Sequence, residues 1–593
     1  MKYIYIIIVL IFAFAGLLPA FTQEEPSIII SYPANNAVIQ SNSTFLVGST
    51  LPGAILTIND EQLRVYPDGG FVKVVSLKKG ENRFYLRSKF KEAQNELVYT
   101  INVPEAPKPI KNTPLIINKS SIKPDEDVLL QPGDKLSIEF RGSKENKASY
   151  SIGELQEIPM NEVYKESKRL SDREYQGIYR AVYTVDDADN FINSPVIVKL
   201  SSSAGSIIEA SRGYLTVLPK NASPIVAEVI KDYAAARNSP DGERLTPLNK
   251  GTRLNITGKR GKYYRYSMGD AASGWVLSSD ISILPPQTPY SKSKITSINL
   301  SESMEDVYIR IPLNAKLPLT IDELPDSSIK LNIYGSFADN DLLIFNNCKN
   351  FISNITYSQL SNKVFQLDII PAFRQIWGYD YYYEDNTLIL RIKKPLYADS
   401  EAPLKNKTIT IDPGHGGSEK GSVGPTGVPE KTINLAIASY LKDLLQNAGA
   451  NVIMTRTSND SNVGLYDRVR ISDDNHSDVL ISIHNNALPD GRDPYKEHGS
   501  STYYYYPQAL PLAQSIQKSL LEVLGLNDYG IHRNSLVLTR SHRSLAVLVE
   551  VGFMINPEEY IFLNNSDFQK KAALAIYNGL ENFLKGICCK IKS

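Results

Sequence analysis

Ile409-Thr410-Ile411-Asp412-Pro413-Gly414-His415-Gly416-Gly417 runs a short apolar strand into a glycine-rich turn with a histidine at its centre. A helical pattern follows. Ile433, Ala436, Ile437, Tyr440, Leu441, Leu444 and Leu445 stand at offsets 0, 3, 4, 7, 8, 11 and 12. That spacing is one apolar stripe of an amphipathic helix, closed at Ala448-Gly449. Residues 451–454 and 479–483 read as further strands, 545–549 as a buried one, and 513–524 and 568–584 as helices. Short strands alternating with helices specify an α/β domain. We expect it over residues 405–587, with a mixed sheet flanked by helices.

Upstream the rhythm is different. Between residues 26 and 105, short β-type runs such as Thr44-Phe45-Leu46-Val47-Gly48 and Phe71-Val72-Lys73-Val74-Val75 are separated by turns at Pro52-Gly53 and Asp68-Gly69-Gly70. This spacing predicts a β-sandwich, and the succession resembles bacterial immunoglobulin-like repeats. Ala106-Pro107-Lys108-Pro109 reads as a stiff linker. A second β-rich unit is expected over 113–219. Over 224–285, Leu248-Asn249-Lys250-Gly251-Thr252, Tyr263-Tyr264-Arg265-Tyr266 and Gly274-Trp275-Val276 resemble a bacterial SH3-like barrel. That resemblance implies a wall-binding module; as a bare fold it is a spacer with Trp275 in its core. Over 294–396, Trp377-Gly378-Tyr379-Asp380-Tyr381-Tyr382-Tyr383 ends a β-rich segment that resembles AMIN-type domains. Alternation places half of that cluster in a core, so packing is expected of it rather than sugar stacking. The fold class is therefore several all-β domains, sandwiches and an SH3-like barrel, followed by one α/β domain.

Composition sets limits on function. Division of 593 residues by roughly 150 per domain gives about four domains. Lys+Arg and Asp+Glu are both 64, so the chain is neither a basic nucleic-acid binder nor an acidic disordered segment. Three cysteines (Cys348, Cys588 and Cys589) exclude a disulfide-dense scaffold and a four-thiolate zinc site; no role is assigned to them. Met1-Lys2 precedes an uncharged apolar run to Ala20. It reads as a signal peptide over residues 1–22, or as an uncleaved anchor that would be the only membrane contact. Either way the rest is exported, to the periplasm or to the cell wall and exterior.

Three candidate ligands sit where elements meet. His415 follows the first strand, Glu430 stands ahead of the helical stripe, and His484 ends the strand through Ile483. Open α/β sheets gather side chains at strand ends. Two imidazoles and a carboxylate are donors that Zn²⁺ accepts, with a fourth position left for water. Glu550 ends the apolar run 545–549 and would serve as general base and then acid. Each piece also has a plain structural use: a histidine in a turn, or a first-turn carboxylate favoured by the helix dipole.

Residues 405–585 closely resemble the zinc-dependent N-acetylmuramoyl-L-alanine amidases. The match runs in order through Thr410–Gly417, Glu430-Lys431-Thr432-Ile433-Asn434-Leu435, Thr455-Arg456 and Leu465-Tyr466-Asp467-Arg468-Val469. It continues through Ser482-Ile483-His484-Asn485-Asn486-Ala487, His498-Gly499, Tyr503-Tyr504 and Val549-Glu550-Val551-Gly552-Phe553. The resemblance implies one zinc held by His415, Glu430 and His484, and Glu550 as the catalytic acid/base. It also implies peptidoglycan as partner, with Asn486 and His498 as substrate contacts. Two alternatives stay open: a wall-binding adhesive scaffold, and a zinc peptidase acting on stem-peptide bonds. Only ten residues, 488–497, separate the Asn-Ala block from His498. Some relatives insert a helix here that blocks the zinc, so an open site active without a partner is expected. His476 is expected on a solvent-facing loop, His532 and His542 on the surface or in the substrate groove, and Arg468 in a structural ion pair.

Overall fold

The computed structural model describes residues 25–104, 114–165, 174–270, 272–338, 343–345, 351–373, 375–395 and 401–591. The leader, the 106–109 linker and Cys348 lie outside them. No helix among the described residues is long and apolar enough to cross a membrane.

Alternating sequences build the upstream two thirds almost wholly from strands. Residues 29–103 form a three-stranded sheet (Ile29–Tyr32, Ser43–Ser49, Gly70–Ser76) facing a five-stranded one. Between the two sheets lie Leu46, Leu56, Phe71, Leu86 and Ile101. The next two units have separate cores but share a sheet. Strand Val128–Leu130 pairs parallel with Gly205–Val217 on one side and antiparallel with Arg253–Arg260 on the other. Backbone hydrogen bonds therefore cross the boundary that the sequence placed near residue 220. A five-stranded and a four-stranded sheet then enclose Leu300, Ile309, Ile333, Leu367 and Leu390.

The aromatic run after Gln375 is packing, as its alternation predicts. Tyr379 and Tyr381 are in the core of that unit. Trp377 goes further and lies fully buried in the core of the C-terminal domain, 6.0 Å from the Phe583 ring. Trp275 is only half-buried, with the Arg265 guanidinium 6.0 Å from its ring.

The C-terminal domain is a six-stranded mixed sheet. Its strands are β1 (Thr408–Pro413), β2 (Asn451–Met454), β3 (Val479–Asn486), β4 (Ser500–Tyr504), β5 (Asp528–Arg533) and β6 (Leu545–Phe553). The order is β2-β1-β3-β6-β4-β5. The first four strands are parallel, β4 runs antiparallel to β6, and β5 is parallel to β4. Helices α1 (Glu430–Asn447), α3 (Leu510–Leu524) and α5 (Ser566–Ile591) share one core with Ile409, Ile411, Ile481, Ile483, Val547 and Val549. Each such buried side chain contributes about 1.5–3 kcal/mol. Helix α2 (Leu465–Asp474) lies on the opposite face, where Val469 meets Leu480, Leu538 and Ala546. A short α4 (Pro557–Leu563) precedes α5, whose last turns hold Cys588 and Cys589. Strand alternation thus sends Thr410, Asp412, Ser482, His484 and Glu550 to the α2 face, opposite the three-helix core.

Candidate metal centre

The predicted ligands converge at the carboxyl ends of β1 and β3. Glu430 is the first residue of α1, after Pro429 in extended conformation, so its carboxylate lies at the positive end of the helix dipole. The ligand atoms of His415, Glu430 and His484 all lie within 4.8 Å of one another. Glu430 Oε2 is 3.2 Å from His415 Nε2, and Oε1 is 3.0 Å from His484 Nδ1. The two imidazole rings stand edge to face at 4.8 Å.

Glu430 is held in place from behind. Its Oε2 accepts from the Ser422 amide at 2.9 Å. Its Oε1 accepts from Asn434 Nδ2 and from the Asn485 amide, each at 3.1 Å. Asn485 in turn donates to Asn434 Oδ1 at 2.7 Å. Burial works against the charged carboxylate, but the bonds to His415 and His484 outweigh it and hold the group well below the usual range. His415 keeps 30% of its side chain exposed and His484 18%, against 5% for Glu430. The site is open from the histidine side.

The turn that carries His415 is strained and clamped. His415 itself has φ 61°, a left-handed conformation that costs a non-glycine residue about 1–3 kcal/mol. Two arginines hold it there. Arg456 donates to the carbonyls of Pro413, Gly414 and Lys431 at 2.8, 2.9 and 2.7 Å. Arg468 donates to Asp412 Oδ1 at 2.8 Å, Pro413 O at 2.9 Å and His415 O at 2.7 Å. Asp412 is fully buried and also accepts from Thr455 and Ser482 hydroxyls. Arg468 is thus the ion-pair partner the sequence suggested. Burial brings the Arg456 guanidinium down to about 10.

Close approach explains Gly414. A Cβ there would stand 2.2 Å from His484 Cε1 and Nε2. Gly414→Ala is expected to displace that ring and weaken metal retention about 10–100-fold, measured by competition with a chromogenic chelator.

Glu550 stands beside the ligands. It is directly paired with His484 across β3 and β6, and with Ser501 across β4. A register shift between His484 and Asn486 breaks the ladder at this point, which leaves room at the strand ends. Glu550 is half-buried, and its Oε2 is enclosed with no hydrogen-bond partner among the described residues. Burial, helped by the negative charge of Glu430, pushes its carboxyl well above the ordinary value.

This geometry fits a divalent cation of the zinc type. Two imidazoles and one carboxylate are the donor set of an open catalytic site, and an enclosed, unpaired carboxylate oxygen beside them otherwise carries an uncompensated desolvation cost.

The remaining predicted residues divide. Asn486 is half-buried at the end of β3, its Oδ1 accepting from the Ala487 amide at 2.8 Å. His498 has both ring nitrogens engaged, with Glu559 Oε1 at 2.8 Å and Asn527 Nδ2 at 3.2 Å, so it braces α4 and leaves little to offer a substrate. His476 is exposed on its loop. His532 bonds Tyr529 O at 2.8 Å, and its ring lies tilted, 5.0 Å from that of Tyr503, two residues beyond the partner of Glu550. His542 lies neither on the surface nor in the cleft. It sits between Tyr379 and Tyr381, beside Asp380, in the joint with the preceding β unit.

Sequence reasoning gave Arg468 an ion pair but left the Asn434–Asn485 pair, Arg456 and the clamp on the His415 turn unassigned. Their signal was present, since Asn434, Asn485, Arg456 and Arg468 all stand inside the blocks that carry the family resemblance.

Comparison with known proteins finds relatives of the C-terminal domain. The family model for N-acetylmuramoyl-L-alanine amidase matches residues 409–582. The germination-specific N-acetylmuramoyl-L-alanine amidase of Bacillus subtilis is 34% identical over 195 residues, 30% of this chain and 80% of that protein. The probable cell wall amidase LytH of Staphylococcus epidermidis is 36% identical over 186 residues, 31% of this chain and 60% of its own length. YqiI of Bacillus subtilis, an uncharacterised protein, is 34% identical with 89% of its length covered. Among solved structures, the catalytic domain of CwlV from Bacillus (Paenibacillus) polymyxa is 32% identical. It covers 30% of this chain and 98% of that one, with a TM-score of 0.29.

Proposed function

The chain belongs to the N-acetylmuramoyl-L-alanine amidase family, and from that premise we propose that it is an exported, zinc-dependent peptidoglycan hydrolase. The bond cleaved is the amide between the lactyl group of N-acetylmuramic acid and L-alanine. The observation that carries this reading is the enclosed, unpartnered Glu550 oxygen beside the His415, Glu430 and His484 cluster.

His415, Glu430 and His484 would hold the ion. Zinc so bound supplies Lewis-acid polarisation of the amide carbonyl and makes water more acidic. Glu550 takes the proton of the attacking water, and its raised proton affinity suits that task. The same carboxyl then protonates the departing alanine amine. Asn434, Asn485 and the Ser422 amide keep Glu430 from swinging out of line, and Arg456 and Arg468 do the same for the His415 turn. Asn486, at the end of β3 two residues after His484, is the contact assigned to the substrate amide in this reading. The upstream β units serve as wall-facing modules that tether the enzyme near its polymer.

Digestion of purified peptidoglycan by the full chain tests this reading. Mass spectrometry is expected to find intact stems with a new L-alanine amine and glycan strands with free lactyl carboxyls. A chelator is expected to stop the release, and zinc to restore it. Fragments in which muramic acid still carries L-alanine would assign the enzyme to stem peptide bonds instead.

A further inference from the structure

The sandwich of residues 25–104 is docked on the metal centre's own loops, although more than 300 residues separate them in sequence. Its three-stranded sheet buries both faces. Leu46 and Phe71 point into the sandwich, whereas Phe45, Val47 and Val72 form a second dry cluster with Ile555, flanked by Tyr32 and Leu488. Tyr32 Oη and Thr44 Oγ1 both donate to Asp490 Oδ1, at 2.9 and 2.6 Å. Tyr495 Oη donates to Val72 O at 2.9 Å. At the rim, Arg64 pairs with Glu558 at 2.9 Å, and a Cβ on Gly70 would stand 3.0 Å from Pro425 Cβ.

Each contact falls on a loop that adjoins the centre or, for Glu558, on the first turn of α4 just after one. Pro425 belongs to the connection between His415 and Glu430. Leu488, Asp490 and Tyr495 belong to the segment that leaves His484 and Asn486. Ile555 and Glu558 follow the strand that ends past Glu550. All three loops leave the carboxyl ends of parallel strands, where no ladder holds them. The sequence placed no element between residues 488 and 497, and the structure fills that stretch with contacts to the sandwich.

We propose that the 25–104 sandwich is a fixed wall of the active site, ordering the three loops that position the metal ligands and Glu550, and that the docked arrangement is the working one. Phe45, Val47, Tyr32, Thr44 and Asp490 are positioning residues in this account. The inference rests on the metal-centre reading.

The test uses the full chain. Val47→Asp puts a charge into the dry seam without touching the inner core of the sandwich, and Asp490→Ala removes the acceptor of two hydrogen bonds. Both are expected to weaken zinc retention about tenfold in chelator competition and to speed amide exchange over residues 488–495 and 554–560. At saturating zinc, kcat on a soluble muropeptide is expected to fall about tenfold with KM within about twofold of the parent.

A second pair guards against misfolding. A Cβ on Gly491 would lie 3.8 Å from Ser41 Cβ, the separation of a disulfide. Gly491 has φ 88°, which strains a Cys, so the reduced Ser41→Cys/Gly491→Cys protein is the baseline. Oxidation is expected to tighten zinc retention and raise kcat relative to that reduced form, and to do the same in the Val47→Asp background. Unchanged zinc retention and exchange in both undocked variants would overturn the proposal. So would an oxidised staple that silences the enzyme until reductant is added, since the sandwich would then be a cover that must leave. Because zinc retention and exchange are read without turnover, a parent chain that fails to release stems bears on the assigned reaction alone.

Discussion

Glu550→Gln is expected to slow amide hydrolysis about 10²–10⁴-fold while the protein keeps its full complement of zinc. Gln fills the same space and leaves His415, Glu430 and His484 undisturbed, but it cannot accept the proton of water or pass one to the leaving amine. Metal content by atomic absorption, alongside release of stem peptides, checks both halves. A variant that lost zinc together with activity would make Glu550 a ligand rather than the proton carrier.

The same substitution carries a stability signature in the metal-free protein. The Glu550 carboxyl has its proton affinity raised in the folded state by burial and by Glu430. A raised carboxyl costs nothing below its ordinary value near 4.5. It subtracts stability as pH climbs from there towards the folded value. Gln removes that cost. The metal-free variant is therefore expected to melt above the parent at neutral pH, and the two are expected to coincide in acid. Equal melting temperatures across the range would mean that Glu550 is neither buried nor crowded by charge.

Glu430→Gln is the second large effect. Gln presents one oxygen where the carboxylate presents two, and it brings an amide nitrogen against donors already aimed at that place: the Ser422 and Asn485 amides and Asn434 Nδ2. A buried donor left without an acceptor costs about 1–3 kcal/mol. We expect zinc binding lost at micromolar metal, hydrolysis reduced at least about a hundredfold, and a lower melting temperature even without metal. The metal-free parent also has its own acid limb. Glu430 is held below the usual carboxylate range by His415 and His484, so it contributes stability above the ordinary value near 4.5, lost as pH falls through the depressed one. In Glu430→Gln that limb is expected to flatten. Retained zinc in the variant would show that the two histidines suffice.

Ile433 to Leu445 and the strands around Ile411, Ile483 and Val547 were legible in the sequence because their burial is one-sided or complete, and apolar spacing records it directly. Strands β4 and β5 were not. Ser500-Ser501-Thr502 and Asp528-Tyr529-Gly530 carry no such run. β4 is a strand because β6 pairs with it and Gln517 of α3 bonds its Ser500 carbonyl and Thr502 hydroxyl, and β5 is one because β4 pairs with it. The upstream alternation likewise revealed β units but not their joints. The pairing of Val128–Leu130 with Arg253–Arg260, and the passage of Trp377 into a neighbouring core, depend on partners more than a hundred residues away.

The sequence by itself determined the donor set: two imidazoles, a carboxylate and a second acid, each at the end of an element whose apolar period fixes where it stops. Tertiary structure alone decided what holds them. The Asn434–Asn485 pair, the arginine clamp on a left-handed His415, the unpaired oxygen of Glu550 and the distant sandwich on Asp490 are contacts between segments far apart in the chain. Periodicity reports which face of one element is buried; it carries no information about which other segment buries it.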